Sequence, residues 1–314
     1  MSDSQKIYVV CAGTSNIDVQ GFAGSQVVLN DKNPGGHIEV WAGGVARNIA
    51  ENLARLGQPV KMLTAVGDDI HADKIMTDST QAGMDMSEVL ILKNTNSAAY
   101  VSITDPGGDL VVGLTDMSIA SHLTLDYFIS KRSVLETARA IVLSPCISAE
   151  VIAYLHENFD APIFMDVVAN GYVENILKVI HVFYTIKANQ YEAEALSGVA
   201  INGENDLHKA ADNVLSMGAL RFVITLGKDG VFYKNQQGVS MRSKTREMTD
   251  VVNATGAGDA FTAGLVYGYI NNMDLRSTLD FSMAAAGLTL AHQNTINPHI
   301  NPALVAEKTQ EWKL

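Results

Sequence analysis

The stretch Asn253-Ala-Thr-Gly-Ala-Gly-Asp-Ala-Phe-Thr-Ala-Gly-Leu265, NATGAGDAFTAGL, joins a glycine turn to an apolar helix. Gly256 and Gly258 leave successive backbone N–H groups uncovered, and the positive end of the dipole of the following helix adds to them. The turn therefore predicts an anion site. Asp259 opens the helix beside that site, close enough to take a proton from an alcohol that attacks a bound phosphoryl group. The plainer alternative is a helix N-terminus in which Asp259 only compensates the dipole.

A second glycine turn, Trp41-Ala-Gly-Gly-Val-Ala-Arg-Asn48, also leads into a helix and presents the polar Asn48 on its first turn. Apolar residues at helical spacing over 46–56, with Gly57 as a terminator, support this helix. Two such turns in one chain indicate that two ligands meet. Arg47 and Lys228 are interpreted as solvated surface residues rather than as clamps for a phosphate.

The composition of the chain limits its partners. Its 314 residues are 47% hydrophobic and 18% charged, as in a globular protein with a large core. No apolar run approaches the roughly 18 to 20 residues of a membrane span. A net charge of -12 opposes binding to a nucleic acid polymer, because such binding rests on Lys and Arg that neutralise phosphates. A small ligand fits better.

The amino terminus and the cysteines indicate the compartment. MSDSQK is followed by only a short apolar run and lacks the marks of an export signal, so we expect a cytoplasmic protein with no membrane partner. Cys11 and Cys146 each lie in an apolar run that is typical of a strand, and we expect buried, reduced thiols.

Short runs rich in Val and Ile alternate with helical patterns, which predicts an α/β fold with a mostly parallel sheet and helices on both faces. The predicted strands are 7–12, 60–66, 140–143, 163–166, 182–186 and 222–226, and the predicted helices include 46–56, 206–217 and 258–270. Residues 21–40 and 97–113 break the alternation, and the turn Asp105-Pro-Gly-Gly108 is typical of a hairpin. Such antiparallel strands would form a lid that excludes water during transfer chemistry, unless they are an edge hairpin that never moves.

The segments AGGVARNIAENLARLG (42–57) and NATGAGDAFTAG (253–264) resemble the two signature motifs of the ribokinase-like, or PfkB, carbohydrate kinases. The resemblance runs over nearly the whole chain. It implies a single ribokinase-like kinase domain over 1–314, with a small antiparallel lid formed by segments at about 14–40 and 97–115. It also implies phosphorylation of a primary hydroxyl with ATP and Mg²⁺. Asp259 would be the base, and Gly256, Ala257 and Gly258 would form the anion hole.

The same resemblance implies the other site residues. From GTSNIDVQG (13–21) and the second glycine turn, the residues expected to bind the sugar hydroxyls are Asn16, Asp18, Gly43, Gly44 and Asn48. From KANQYEAEAL (187–196) and ITLGKDGVFY (224–233), the residues expected near the nucleotide are Asn189, Thr225, Gly227 and Gly230. Glu192 would organise the magnesium ion through water. The alternatives are a loop cap for Asn16 and Asp18, an exposed helix position for Glu192, and a plain turn at 227–230.

Two departures from the family pattern bear on the substrate and on a cation. Ribokinase-type members carry a glutamate in the segment that here reads LSPCIS (143–148), at the position of Cys146, and a thiol cannot bind hydroxyls as a carboxylate does. A free pentose is therefore disfavoured. The last motif begins Asn253-Ala-Thr rather than Asp-Thr-Thr, so activation by a monovalent cation is left open.

Several further segments resemble the branch of the family that phosphorylates the 5′-hydroxyl of the free C-nucleoside pseudouridine: SNIDVQGFAG, SAAYVSITD, LTDMSIASHLT and SPCISAEVIAYL. This resemblance implies that Ser97, Tyr100, and Thr115 or Asp116 reach the uracil, although Tyr100 could equally be a packed hairpin residue. Lid strands in this family often pair across a homodimer, which we expect here.

Other function classes are weighed against this one. Another nucleoside or sugar kinase of the same family, of the ribokinase or inosine-guanosine type, stays open. A catalytically idle sugar-binding regulator is disfavoured because Asp259, Glu192 and the glycine turn are all present. A dinucleotide-dependent oxidoreductase is excluded because GTSNID, rather than Gly-x-Gly-x-x-Gly, follows the first strand.

Overall fold

The computed structural model describes residues 7–244 and 251–312. Residues 1–6, on which the argument about an export signal partly rests, lie outside the described residues. In chain order the strands are β1 (Tyr8–Ala12), β2 (Asn16–Phe22), β3 (His37–Gly43), β4 (Val60–Leu63), β5 (Ala65–Val66), β6 (Leu90–Ile91), β7 (Ala98–Thr104), β8 (Leu110–Asp116), β9 (Ala138–Leu143), β10 (Ile163–Asp166), β11 (Thr185–Asn189), β12 (Arg221–Thr225), β13 (Val231–Asn235) and β14 (Ser240–Ser243). The helices are α1 (Val45–Arg55), α2 (Ile70–Gln81), α3 (Leu125–Ser130), α4 (Arg132–Glu136), α5 (Ala149–Asn158), α6 (Val173–Leu177), α7 (Gln190–Ser197), α8 (Glu204–Ser216), α9 (Ala257–Ile270), α10 (Leu275–Leu290) and α11 (Pro302–Trp312).

The larger sheet has the strand order β14-β13-β12-β11-β10-β9-β1-β4. Its pairings are parallel from β4 through β12, whereas the β12–β13 and β13–β14 pairings are antiparallel, so β13 runs opposite to the other strands of this sheet. Val10 and Ala12 of β1 pack into one apolar cluster, whereas Val9 and Cys11 pack into another on the opposite face. Both faces are therefore covered by helices, and the predicted α/β fold with a mostly parallel sheet is confirmed.

The predicted helices and strands agree with the observed ones, except where an apolar run packs in the core without forming one continuous strand. The predicted strand 182–186 is wrong in its bounds, because β11 runs from Thr185 to Asn189 and residues 180–182 form a short 3-10 helix. Val182 and Phe183 are apolar because they pack in the core, and a short apolar run does not distinguish a strand from other buried segments. The predicted run 60–66 divides into β4 and β5, which belong to different sheets.

A second sheet, with the order β3-β2-β7-β8, stands apart from the larger one. We call it the four-stranded sheet. Its β2–β3 and β7–β8 pairs are antiparallel as predicted, but its central β2–β7 pair is parallel. A parallel pair requires a long crossover, which α1, β4–β6 and α2 supply.

The two faces of the four-stranded sheet differ in polarity because successive residues of a strand point to opposite sides. One face looks into the molecule and carries mainly polar and aromatic side chains. The register aligns the apolar residues of the outer face in two rows, Val40–Val19–Val101–Leu114 and Ile38–Gly21–Ile103–Val112. Ile38 and Leu114 are 73% and 71% exposed, so this outer face is an apolar surface open to solvent.

No helix within residues 7–244 and 251–312 is long and apolar enough to cross a bilayer. Cys11 is buried in β1 as predicted, whereas Cys146 is only partly buried and its predicted strand position is wrong. Cys146 lies in the turn after β9, because Pro145 interrupts the apolar run there.

Candidate active site

A cleft of about 1100 Å³ lies between the carboxyl ends of the main-sheet strands and the inner face of the four-stranded sheet. This edge of an α/β sheet is where ligands usually bind. The sequence-predicted residues that line the cleft are Asn16, Asp18, Gly44, Asn48, Tyr100, Thr115, Asn189, Glu192, Gly256, Gly258 and Asp259. Motifs that are as much as about 240 residues apart in the sequence therefore meet in one place.

Asp259 lies in the first turn of α9 and faces Asn48, the fourth residue of α1. The Asn48 Nδ2 atom donates to Asp259 Oδ2 at 2.8 Å, and both side chains are buried. Burial and, to a smaller extent, the neighbouring charge of Asp166 raise the pKa of Asp259 to about 7, although the hydrogen bond from Asn48 opposes both effects. A carboxyl with this pKa changes between its acid and base forms near neutral pH.

The glycine turn before Asp259 is closely packed. Gly256 adopts a left-handed conformation with φ 81°, and a Cβ atom there would come within 1.9 Å of the Thr295 carbonyl oxygen. The first intrahelical backbone bond runs from Ala260 N to Gly256 O, so the N–H groups of residues 257–259 have no helical acceptor. They form an open cradle of donors at the positive end of α9, which suits an anion.

A buried ion pair that the sequence reasoning missed lies beneath this cradle. Lys187 Nζ is 3.1 Å from each carboxylate oxygen of Asp166, and Thr262 Oγ1 donates to Asp166 Oδ2 at 2.7 Å. Burial alone would lower the pKa of Lys187, but the attraction of Asp166 and Glu192 outweighs it and the pKa is raised. A Cβ atom on Gly258 would lie 2.9 Å from Lys187 Nζ, so a cation stands directly behind the turn.

On the other side of the cleft, Asn16 and Asp18 belong to β2 rather than to a loop. Asn16 Nδ2 donates to Asp18 Oδ1 at 2.7 Å, and burial raises the pKa of Asp18 to about 6. A Cβ atom on Gly43 would approach Asp18 Oδ2 to 2.1 Å, and one on Gly44, whose φ is 103°, would approach the Thr14 carbonyl oxygen to 2.5 Å. Because these two glycines have no side chain, the start of α1 can pack closely against Asp18.

Asn189 and Glu192 form a capping box at the start of α7. Asn189 Oδ1 accepts from Glu192 N at 2.9 Å, and the Glu192 carboxylate accepts from both Asn189 N and Asn189 Nδ2 at 2.7 Å. This arrangement stabilises the helix start by about 1 kcal/mol. Glu192 is buried, which excludes the exposed position weighed above, and burial raises its pKa.

The remaining residues of the predicted nucleotide side lie on the neighbouring strand. Thr225 pairs with Asn189 in the β11–β12 register. Gly227 and Gly230 shape the turn to β13 with φ values of 56° and 84°, and a Cβ atom on Gly230 would come within 2.1 Å of the Ser243 carbonyl oxygen. Thr225, Gly227 and Gly230 do not line the cleft as the described residues bound it.

Two predicted lid contacts lie away from the cleft. The Ser97 hydroxyl and backbone N–H both bind the Asp69 carboxylate, at 2.7 and 2.9 Å, and Ser97 does not line the cleft. Asp116 is exposed, because strand alternation turns it to the outer face next to the inward Thr115, and it accepts from the Ser118 N–H and hydroxyl. The placement of Ser97 and Asp116 therefore does not support contact with a ligand in the cleft.

The surface interpretation of Arg47 is wrong. Arg47 is 3% exposed and donates to Glu51 at 2.6 Å, to Ser79 at 3.1 Å and to the Ala42 carbonyl oxygen at 3.0 Å. Lys228, in contrast, is exposed as predicted.

The two residues that depart from the family pattern, Cys146 and Asn253, each contact neighbouring residues. Cys146 lines the cleft, and its Sγ atom is 3.2 Å from Ser144 Oγ. Asn253 donates to the Gln293 carbonyl oxygen and accepts from Thr255 N, at 2.8 and 2.9 Å, so both ends of its amide are used.

No group of three or more His, Cys, Asp or Glu side chains in the described part of the chain could hold a metal ion by itself. The carboxylates of the cleft still suit magnesium, because Mg²⁺ keeps several waters and needs only one or two protein carboxylates together with substrate phosphates. Glu192 lines the cleft near Lys187, and Asp166 lines it too, although its carboxylate is already paired with Lys187.

Comparison with known proteins identifies the chain as a kinase that transfers a phosphoryl group to an alcohol. The family described as pfkB family carbohydrate kinase matches residues 6–302, and the chain belongs to that family. Pseudouridine kinase of Escherichia coli K12 is 35% identical over 302 residues, which cover 96% of each chain. Guanosine-inosine kinase of Exiguobacterium acetylicum is 24% identical, over 95% of this chain and 99% of that protein. A structure of Arabidopsis thaliana ribokinase with ribose and ATP superposes with a TM-score of 0.83 at 17% identity, over 97% of this chain and 99% of that one, and shares the fold.

Proposed function

We propose that this kinase transfers the γ-phosphoryl group of ATP to the 5′-hydroxyl of pseudouridine, giving pseudouridine 5′-phosphate and ADP. The observation that carries the proposal is the buried Asp259 carboxyl, whose pKa is raised to about 7, held by Asn48 beside the glycine turn of α9. A general base is most effective when its pKa is close to the working pH. The 35% identity to a pseudouridine kinase supports the choice of substrate.

In this reaction Asp259 accepts the hydroxyl proton while the 5′-oxygen forms a bond to the γ-phosphorus. The bond from that phosphorus to the bridging oxygen breaks, and ADP leaves with the electron pair. The N–H groups of Gly256, Ala257 and Gly258 are suited to bind the equatorial oxygens of the transferred group. Lys187 adds a buried positive charge behind them.

Asn16 and Asp18 are suited to bind the sugar hydroxyls, and the absence of a side chain at Gly43 and Gly44 lets the start of α1 pack closely against β2 beside them. Asn189, Thr225, Gly227 and Gly230 would bind the nucleotide. Magnesium, held by the phosphates, water and Glu192, would neutralise phosphate charge.

A second candidate is another nucleoside or sugar kinase of the family, since relatives of this chain include a guanosine-inosine kinase and its fold is shared by a ribokinase. The inner face of the four-stranded sheet favours a nucleoside, because its polar side chains continue well past Asp18. The test is the rate of ADP formation with pseudouridine, uridine, ribose, inosine and fructose. Faster turnover of ribose than of pseudouridine would defeat the proposal.

We also propose that residues 1–314 form one domain, with the segments at about 14–40 and 97–115 acting as a lid, and that two copies pair through the outer faces of their four-stranded sheets. The apolar rows on that face would otherwise stay in water, and apolar patches of this kind mark interfaces. We propose a cytoplasmic enzyme that does not bind nucleic acid polymers, and the net charge of -12 supports the second part because it opposes binding to a polyanion.

A further inference from the structure

The inner face of the four-stranded sheet carries its side chains in three rows that cross the strands. All but Gly113 line the cleft, and the register gives the rows as Trp41–Asp18–Tyr100–Thr115, Glu39–Gln20–Ser102–Gly113 and His37–Phe22–Thr104–Leu110. Successive rows are two residues apart, which is about 6.6 Å along a strand. The row in which a side chain stands therefore gives its approximate distance from Asp18 along the strands.

The row spacing locates the base of a bound nucleoside, provided that the proposed function holds and Asp18 binds the sugar. The pyrimidine of a nucleoside is bonded directly to the sugar ring, so its outer edge reaches the second row. The third row begins about 13 Å from Asp18. It ends in Phe22 stacked on His37, with ring centroids 4.6 Å apart.

Polar groups of the second row have no partner in the described part of the chain. Ser102 is 3% exposed and lines the cleft, yet its hydroxyl forms no hydrogen bond with any residue in 7–244 or 251–312. The carboxamide of Gln20, its neighbour in the β2–β7 register, has none there either. Both groups face the cleft, so their hydrogen-bonding capacity is open to a ligand there. Glu39 of the same row lies on an edge strand, half exposed and 3.6 Å from His37.

We propose that Gln20, assisted by Ser102, binds the one position of the base that distinguishes pseudouridine from uridine. Counted from the glycosidic atom, both rings present C6–H, a variable position, a carbonyl, N3–H and a second carbonyl. The variable position is N1–H in pseudouridine and C5–H in uridine. A carboxamide offers an acceptor beside a donor, so it can bind N1–H and the adjacent carbonyl together.

Uridine satisfies only the donor half of this amide, which leaves Gln20 Oε1 facing a C–H group. An unpaired buried acceptor reduces kcat/KM for uridine by about 10- to 100-fold relative to pseudouridine. N1-methylpseudouridine keeps the C-glycosidic bond but lacks the N1–H donor, so it is discriminated against in the same way. Gln20 is thus a specificity-determining residue, and the chemistry at Asp259 is unaffected by it.

The experiment measures kcat/KM for pseudouridine, uridine and N1-methylpseudouridine with the wild-type enzyme and with Gln20→Leu, which removes the amide at similar size. In Gln20→Leu we expect the value for pseudouridine to fall by about 10- to 100-fold, while the values for the other two stay within about threefold. Glu39→Gln is the matched control from the same row and keeps the wild-type preference. Ser102→Ala lowers the preference for pseudouridine by a smaller factor and serves as the test if Gln20→Leu does not fold.

Two results would overturn this inference and leave the proposed function standing. In the first, the wild-type enzyme phosphorylates pseudouridine, and Gln20→Leu and Ser102→Ala both keep the wild-type preference for pseudouridine over uridine. In the second, Glu39→Gln loses that preference. A wild-type enzyme that is active on ribose and inactive on pseudouridine overturns the proposed function, and this inference with it.

Discussion

Replacing Asn48 with alanine tests how the pKa of the proposed base is set. The change removes the 2.8 Å hydrogen bond to Asp259 Oδ2. Asn48 Nδ2 donates to the ionised carboxylate, so the bond favours the charged form and holds the pKa below the value that burial and Asp166 alone would give. Its loss therefore raises the pKa of Asp259 above about 7.

The size of the shift follows from the strength of the bond. A hydrogen bond to a charged group contributes about 1.5 to 3 kcal/mol. One pKa unit corresponds to about 1.4 kcal/mol, so the expected rise is roughly one to two units. The bond is buried, so screening by water reduces this value little.

The assay is kcat/KM for the nucleoside as a function of pH, which reports the pKa values of the free enzyme. Asp259 must be ionised to accept a proton, so activity is lost as the pH falls through its pKa. We expect a midpoint near pH 7 for the wild type and near pH 8 to 9 for Asn48→Ala. Asn48 is also expected to contact the sugar, which lowers the height of the profile but not its midpoint.

The matched control is Asn52→Ala, one turn farther along α1. Asn52 Nδ2 donates to the Asn48 carbonyl oxygen at 2.9 Å rather than to Asp259, so its loss leaves the midpoint in place. A midpoint for Asn48→Ala that equals the wild-type value, or lies below it, would refute the reasoning.

Three further outcomes are expected. Asp259→Asn lowers kcat by roughly two to four orders of magnitude with ATP affinity within a few-fold, and an unchanged kcat in steady-state assays would remove the base assignment. Asp18→Ala raises KM for the nucleoside more than for ATP, because each unpaired hydroxyl contact costs about 1 to 3 kcal/mol; equal effects on both KM values would point to misfolding instead. Leu114→Glu, placed at the β8 end of an apolar row on the outer face, converts a dimer to monomers in light scattering, and Lys228→Glu on an exposed turn does not; a mass that is the same for Leu114→Glu and wild type would contradict pairing through this face.

Much of the fold could be predicted because local signals agree with the tertiary structure. Gly57 ends α1 in a left-handed conformation, as a terminator should. The strand 163–166 was predicted with the bounds that the structure has. The strand predicted at 182–186 was misplaced because the core needs apolar side chains in non-strand segments too, and only tertiary packing distinguishes the two.

The site shows a similar division. The glycine turns could be found because backbone N–H groups at a helix start need glycine nearby, which is a local requirement. Asp166 and Lys187 were missed, although Asp166 ends the apolar run 163–166 and Lys187 follows the apolar run 182–186, and a charged residue at each of these places was a usable signal. Their importance depends on a contact between neighbouring strands, 21 residues apart, which no local pattern contains. Arg47 was misjudged because its contact with Ser79 of α2 is not local, although its pairing with Glu51, four residues along α1, was a usable local signal.

The period-two alternation of the four-stranded sheet also separates two kinds of evolutionary change. Along β7, Tyr100 and Ser102 face the cleft while Val101 and Ile103 face outward, so point substitutions can retune substrate choice without disturbing the surface that a second copy would meet. Deletion of a single residue from the same strand has the opposite consequence. It exchanges the two faces downstream, turning valine toward the sugar and serine toward the neighbour, so lineages of this enzyme are expected to tolerate replacements in β7 far more readily than changes in its length.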